Sequence, residues 1–68
     1  MRNWLRELRQ DASKTQLEVA NDLDISESYY SLIENGERQK NLSMELAQRI
    51  ANVFGVSLDY VSEQENRR

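Results

Sequence analysis

The chain has 68 residues, enough for one domain built around a single small core. It contains neither Cys nor His, which excludes disulfides, thiolate metal sites and imidazole-based catalysis. With a net charge of −3, 38% hydrophobic residues and no Pro, the composition favours an all-α domain and argues against a strongly basic surface.

The sequence carries no signature of a membrane protein or an enzyme. No apolar run approaches the ~20 residues that a membrane span requires, and residues 1–10 lack the apolar centre of a signal peptide. There is no Gly-rich phosphate loop, metal-ligand spacing or nucleophile–base pair. We therefore expect a cytoplasmic protein that is not an enzyme and has no cofactor, metal or small-molecule ligand.

Apolar periodicity predicts a first helix from about Asn3 to Asp11. The residues that recur on one stripe of this helix are Met1, Trp4, Leu5, Leu8 and Ala12. Arg2, Arg6 and Glu7 fall on the opposite, polar face. Trp4 is expected in the core or in a dimer contact rather than in a ligand site.

A second helix is predicted from about Gln16 to Asp22. Thr15 and Glu18 have the spacing of a capping box, in which each side chain accepts a hydrogen bond from the backbone amide of the other residue. The apolar face of this helix is formed by Leu17, Ala20 and Leu23.

After a turn of three or four residues, a third helix is predicted from about Glu27 to Glu34, with Ser26 as its N-cap and Asn35-Gly36 at its end. Tyr30 and Ile33 point the same way and anchor it to the core. Its other face carries Glu27, Ser28, Tyr29 and Leu32. Large side chains would be unusual on a merely solvated face, so this face is expected to meet a partner. Two short helices joined by so tight a turn form a helix-turn-helix, whose second helix can enter a major groove.

A fourth helix is predicted from its N-cap, Ser43, to about Val53, and Gly55 ends it. Its buried stripe comprises Leu46, Ala47, Ile50, Ala51 and Phe54. This helix therefore supplies a large part of the expected core.

A fifth, short helix is predicted after the N-cap Ser57. Leu58 and Val61 are expected to close the core, with Tyr60 near the surface. We expect the domain to comprise residues 1–63, and residues 64–68 to form a frayed polar tail.

Five segments of the sequence together resemble one family. They are Leu5-x-x-Leu8-Arg9, Thr15-Gln16-x-x-x-Ala20-x-x-Leu23, Ile25-Ser26, Ile33-Glu34-Asn35-Gly36 and Ile50-Ala51-x-x-Phe54-Gly55-Val56-Ser57. The combined pattern, from about residue 4 to residue 61, is similar to that of the Xre/Cro/lambda-repressor-like helix-turn-helix family. The resemblance implies a compact bundle of five short helices, with the helix-turn-helix formed by helices two and three, and it implies binding to double-stranded DNA.

The resemblance also implies roles for particular residues. The base-facing positions of the family correspond to Glu27, Ser28, Tyr29 and Leu32. Its phosphate-binding positions, including the loop 38–41, correspond to Thr15, Gln16, Asn35, Arg38 and Lys40. Members often pair an Arg of the first helix with the Glu of the I-E-x-G segment, which implies a salt bridge between Arg9 and Glu34. The C-terminal region of the family commonly forms a two-fold dimer contact.

Several of these residues have an equally simple structural interpretation. Glu27 could accept a hydrogen bond from a cytosine amino group, or it could stabilise the N-terminus of its helix. Gln16 could be an ordinary first-turn residue, and Arg9 and Glu34 could be two unpaired surface charges. Asp24 departs from the family, which usually has Gly in this turn, so a slightly strained left-handed backbone is expected there.

The charge is distributed unevenly along the chain. Basic residues lie before and after the helix-turn-helix, whereas residues 17–35 carry five acidic residues and no Lys or Arg. The basic flanks could contact phosphate while the middle reads bases. Non-specific affinity would then be weak, because counterion release scales with the number of phosphates neutralised.

The sequence thus supports two functions. The leading hypothesis is a sequence-specific DNA-binding transcriptional regulator, of repressor or controller type, that binds a palindromic operator as a homodimer through its C-terminal region. The alternative is a protein-interaction module that has the same fold and does not bind DNA. The acidic middle segment and the exposed Tyr29 and Leu32 favour the alternative.

Overall fold

A computed structural model describes residues 1–67, which form five α-helices and no β-strand. The helices are α1 (Asn3–Asp11), α2 (Gln16–Asp22), α3 (Glu27–Asn35), α4 (Met44–Phe54) and α5 (Leu58–Arg67). In space, α2 packs against α3, α4 packs against α5, and α1 contacts α3. The all-α fold predicted from the sequence is therefore confirmed. None of these five helices has the length and apolar character needed to cross a bilayer.

Local sequence signals explain where the helices begin. The hydroxyl groups that accept a backbone amide from the first turn of the following helix belong to Thr15, Ser26, Ser43 and Ser57. Each of these bonds satisfies one amide that has no partner within its own helix. The predicted N-caps are confirmed, and the ends of α3 and α4 lie one residue beyond their predicted positions.

Two glycines end helices in the left-handed region, Gly36 after α3 (φ +82°) and Gly55 after α4 (φ +66°). A Cβ atom added to Gly55 would meet no atom within 4 Å. The cost of a side chain there is therefore set by the backbone and not by crowding.

We expect Gly55→Ala to destabilise the domain by about 1 kcal/mol, because Ala disfavours a left-handed backbone. Gly55→Asn should cost less, since Asn tolerates this conformation better than Ala. Thermal unfolding of the two variants beside the wild type measures both effects. Equal losses for Ala and Asn would show that something other than backbone conformation determines the cost.

The core is formed by one cluster of buried residues from all five helices. Its members are Trp4, Leu5, Val19, Ala20, Leu23, Tyr30, Ile33, Leu46, Ala47, Ile50, Ala51 and Val61. Leu58 packs against this cluster and Tyr60 lies at the surface, both as predicted. Trp4 is a core residue, 7% exposed, which agrees with one of the two positions expected for it.

The predicted apolar face of α2 is wrong at one residue. Leu17 is 49% exposed, and Val19, which the prediction omitted, is fully buried. The helix has only seven residues, so two faces rotated by part of a turn fit its apolar pattern nearly equally well. Packing against α3 selects the face that contains Val19.

The predicted stripe of α1 is also wrong at its ends. Met1 is 57% exposed and Ala12 is exposed, whereas Arg2, which was assigned to the polar face, is completely buried. The reason is that the helix begins only at Asn3, and Arg2 precedes it with a non-helical backbone (φ −86°, ψ 80°). Helical periodicity therefore does not fix the direction of the Arg2 side chain.

Residues 64–67 are not the frayed tail that the sequence suggested. They continue α5 to Arg67, and Glu65 is half-buried against Arg2. Arg68, the last residue of the expected tail, lies outside the described residues. The polar composition of this turn misled the prediction because Glu65 is bound by Arg2 and by the Trp4 indole, and apolar periodicity does not detect such contacts.

Candidate nucleic-acid interface

The N-terminus of α2 is fixed by a complete capping box. The Thr15 hydroxyl accepts from the Glu18 amide at 3.1 Å, and the Glu18 carboxylate accepts from the Thr15 amide at 2.8 Å. Both groups are exposed. The Thr15 oxygen is thus already engaged in the cap, and its hydroxyl proton remains available to an outside acceptor.

The turn between α2 and α3 is short and internally hydrogen-bonded. The Ile25 amide donates to the Ala20 carbonyl at 3.0 Å, and Asp24 has the predicted left-handed backbone, with φ +60°. Arg49 of α4 donates to the Leu23 carbonyl at 3.4 Å, beside the same turn. This turn sets the direction in which α3 leaves α2.

The start of α3 presents two side chains to solvent. Ser26 caps it by accepting from the Tyr29 amide at 3.1 Å, and Glu27 and Ser28 are exposed. Tyr29 and Leu32 are half-buried, and Tyr29 packs against the core cluster. The four residues predicted to face bases therefore lie at the surface, with the first two more accessible than the last two.

Glu34, in the last turn of α3, holds three elements together. Its side chain is 2% exposed and accepts from Arg9 Nε at 2.9 Å and from Arg9 Nη2 at 3.1 Å. It also accepts from the Tyr30 hydroxyl at 2.8 Å and from Gln16 Nε2 at 3.2 Å. The Arg9–Glu34 pair that the family resemblance implied is thus present and joins α1 to α3, and Gln16 links α2 to the same carboxylate.

These contacts determine the ionisation of the cluster. Burial would raise the pKa of Glu34, but the hydrogen bonds from Arg9, Tyr30 and Gln16 outweigh it, so that the pKa lies below its usual value. The hydrogen bond to Glu34 raises the pKa of Arg9, and burial raises the pKa of Tyr30. At neutral pH the cluster therefore contains a carboxylate, a guanidinium and a neutral phenol.

Gln16 is more than an ordinary first-turn residue. Its side-chain amide donates to Glu34, which fixes its direction relative to α3. Because Glu34 uses one donor of that amide, the other remains available to an outside acceptor. The family resemblance implied a phosphate contact for this residue, and the bond to Glu34 in addition braces α2 against α3.

The end of α3 and the loop that leads to α4 carry the remaining residues predicted to contact phosphate. Asn35, Arg38 and Lys40 are exposed. Gln39 is half-buried and has a left-handed backbone, with φ +53°. Its Nε2 donates to the Tyr29 hydroxyl oxygen at 2.8 Å, so the loop is tied directly to the exposed face of α3.

Arg2 supports this loop from behind, a role that sequence reasoning missed. Its guanidinium donates to the carbonyl oxygens of Ile33, at 2.6 Å, and of Arg38 and Gln39. Its Nη2 also lies 2.7 Å from a carboxylate oxygen of Glu65 in α5. The two partners are 63 positions apart, and no local pattern signals their pairing. The one signal in the sequence is that an arginine lies directly before the first apolar residues of α1.

The fold and the geometry of this surface define the class of protein. A family model described as helix-turn-helix matches residues 5–61. The chain belongs to the Xre/Cro/lambda-repressor-like helix-turn-helix family, which consists of DNA-binding transcriptional regulators and not of enzymes.

One relative gives a more particular comparison. The chain is similar to the uncharacterized HTH-type transcriptional regulator YqaF of Bacillus subtilis (strain 168), with 43% identity over 42 residues. The aligned region covers 62% of this chain and 55% of the relative, so the chain spans about half of that protein's length. No solved structure matches the chain significantly.

Proposed function

We propose that this chain binds double-stranded DNA in a sequence-specific manner, with α3 in the major groove. Glu27, Ser28, Tyr29 and Leu32 would face the bases. Thr15, Gln16, Asn35, Arg38 and Lys40 would contact phosphate. The observation that carries the proposal is the exposed pair Glu27 and Ser28 at the start of α3, a helix whose other end is fixed to α1 and α2 by Glu34. Sequence-specific contacts require a helix fixed in this way, because each hydrogen bond to a base edge depends on the direction of the side chain that makes it.

The charge distribution supports separate roles for the residues that contact phosphate and those that contact bases. Residues 17–35 have no Lys or Arg, so attraction to phosphate must come from the flanks. Arg38 and Lys40 are exposed in the loop that directly follows α3. Phosphate contacts of this kind position a protein on the duplex, while the few side chains of the reading helix supply the sequence preference.

The regulator would act as a homodimer on a palindromic operator in the cytoplasm. One short helix contacts too few base pairs to select a site, and two copies related by a two-fold axis double the contact. The half-sites would then lie about one helical turn apart, ~34 Å. The contact between the copies would involve the C-terminal region, where Tyr60 of α5 and Met44 of α4 are exposed. The name of the Bacillus relative, an HTH-type transcriptional regulator, agrees with this role.

Selection of bound duplexes from a random pool tests the proposal, because it reports DNA binding, the preferred sequence and the half-site spacing together. A palindromic consensus is the expected result. If the protein enriches no duplex and binds no DNA at low salt, it is instead a protein-interaction module with this fold. A steep loss of affinity with added salt would support DNA binding, since it reports phosphate contacts.

We expect the double variant Arg38→Ala, Lys40→Ala to weaken binding about equally for all duplexes. It should also reduce the slope of log affinity against log salt concentration by about 2, one unit for each phosphate that the variant no longer neutralises. Ser28→Ala should instead change which base pair is preferred and leave the slope unchanged. Affinity measurements on specific and mixed duplexes at several salt concentrations distinguish the two effects. The same uniform loss for both variants would contradict the assignment of base-facing and phosphate-facing residues.

A further inference from the structure

Gln39 connects the loop after α3 to the face that is proposed to read bases. Its Nε2 donates to the Tyr29 hydroxyl oxygen at 2.8 Å, and its Oε1 accepts from the Ser43 amide at 3.4 Å. Because the Ser43 amide can only donate, it fixes which end of the Gln39 amide group faces Tyr29. The tyrosine hydroxyl is therefore a hydrogen-bond acceptor toward the loop.

We propose that Gln39 is a specificity-determining positioning residue, which holds the Tyr29 hydroxyl so that its proton points toward an acceptor atom on the bound duplex. This inference rests on the proposed DNA-binding function. A hydroxyl that already accepts from Gln39 retains one proton to donate. In the major groove the matching acceptors are N7 of a purine, O6 of guanine and O4 of thymine, whereas the amino groups of adenine and cytosine would oppose it.

The backbone of Gln39 shows how the loop maintains this bridge. A left-handed conformation is unfavourable for Gln and persists only where surrounding contacts impose it. Arg2 provides such contacts, since its guanidinium donates to the carbonyl oxygens of Gln39 and Arg38. Arg2 is held in turn by Glu65 of α5. The bridge from Gln39 to Tyr29 is thus set in the free protein and requires no rearrangement on binding.

The discriminating variant is Gln39→Asn. Asn accepts a left-handed backbone more readily than Gln and retains the amide, but it is one methylene shorter and cannot span the distance to Tyr29. Thermal stability should remain close to that of the wild type. The preference at the base pair read by Tyr29 should fall about fivefold to tenfold, the effect of one hydrogen bond. Gln10→Asn, an identical change at an exposed residue of α1, is the control and should preserve the preference.

Tyr29→Phe and the double variant complete the experiment. If Gln39 acts through the Tyr29 hydroxyl, Tyr29→Phe lowers the same preference and Gln39→Asn adds no further loss to it. The side-chain amide resonances of Gln39 in the DNA-free protein should also shift in Tyr29→Phe, which tests the bridge independently of DNA.

The possible failures are distinguishable. A wild-type chain that enriches no duplex from the random pool overturns the proposed function and this inference with it. A wild-type chain that selects a consensus, together with a Gln39→Asn variant that selects it with unchanged discrimination, overturns this inference alone. Independent, additive losses from Gln39→Asn and Tyr29→Phe would also overturn it.

Discussion

Replacing Glu34 with Gln is expected to destabilise the domain by about 3 kcal/mol at neutral pH. The substitution leaves the Arg9 guanidinium, whose side chain is only 14% exposed, without its counter-ion. It also weakens the hydrogen bonds that Tyr30 and Gln16 donate, since a neutral amide oxygen is a poorer acceptor than a carboxylate. A domain of 68 residues has a total stability of only about 3–10 kcal/mol. Urea unfolding followed by circular dichroism measures the loss.

Glu37→Gln is the matched control for this variant. Glu37 lies three residues further along, is exposed, and undergoes the same loss of one negative charge. Its substitution should change the stability by no more than about 0.5 kcal/mol. If Glu34→Gln were as mild as Glu37→Gln, the buried cluster would not contribute to stability in the way its geometry indicates.

The same residue should produce part of the acid sensitivity of the protein. Because the pKa of Glu34 is lower in the folded protein than its ordinary 4.5, the unfolded chain takes up the proton first as the pH falls. The stabilisation from Glu34 is therefore fully present above that ordinary value and is lost as the pH falls through the lower, folded one. The difference between wild type and Glu34→Gln should shrink over this range, as unfolding measurements from pH 7 downward would reveal.

Arg2→Met should also cost about 3 kcal/mol of folding stability, an effect that the helical pattern of α1 gives no reason to expect. Met retains most of the apolar length of the side chain, so the variant chiefly removes the charge and the donors. It leaves the Glu65 carboxylate without this partner and the Ile33 carbonyl without a 2.6 Å hydrogen bond. Denaturant unfolding provides the measurement.

Two companion variants separate the ion pair from the general effect of removing charge. Arg6→Met changes an exposed residue of α1, the helix that follows Arg2, and should alter stability by no more than about 0.5 kcal/mol. Glu65→Gln should also cost about 3 kcal/mol, because it leaves the completely buried Arg2 guanidinium without its counter-ion. An Arg2→Met variant that is as stable as Arg6→Met would refute the role given to Arg2 in supporting the loop.

The parts of the fold that follow from short-range chemistry could be predicted from the sequence. Thr15 with Glu18, and Ser26 and Ser43 alone, specify helix starts because their hydroxyl groups satisfy amides within three residues. Gly36 specifies a helix end because few other residues adopt its backbone conformation freely. The family resemblance added the Arg9–Glu34 pair, which links distant parts of the chain.

The parts that depend on tertiary packing could not be predicted. The choice between Leu17 and Val19 as the buried residue of α2 is decided by how α3 lies against it. The burial of Arg2 requires carbonyl groups of a distant loop and a carboxylate of α5, none of which is evident near residue 2. The hydrogen bond from Gln39 to Tyr29 likewise depends on the path of a loop whose backbone carbonyl groups are bound by Arg2.

The wide separation of Arg2 and Glu65 along the chain bears on the order in which the domain folds. Joining residues 63 positions apart closes a far longer loop than docking α2 on α3, and so carries a larger entropic cost. The helix-turn-helix half can therefore assemble first, with the pairing of the two ends of the chain as a late event. Interactions formed after the transition state slow unfolding without accelerating folding. We therefore expect the lifetime of the native state to depend on this contact, which should have little influence on how quickly that state is reached.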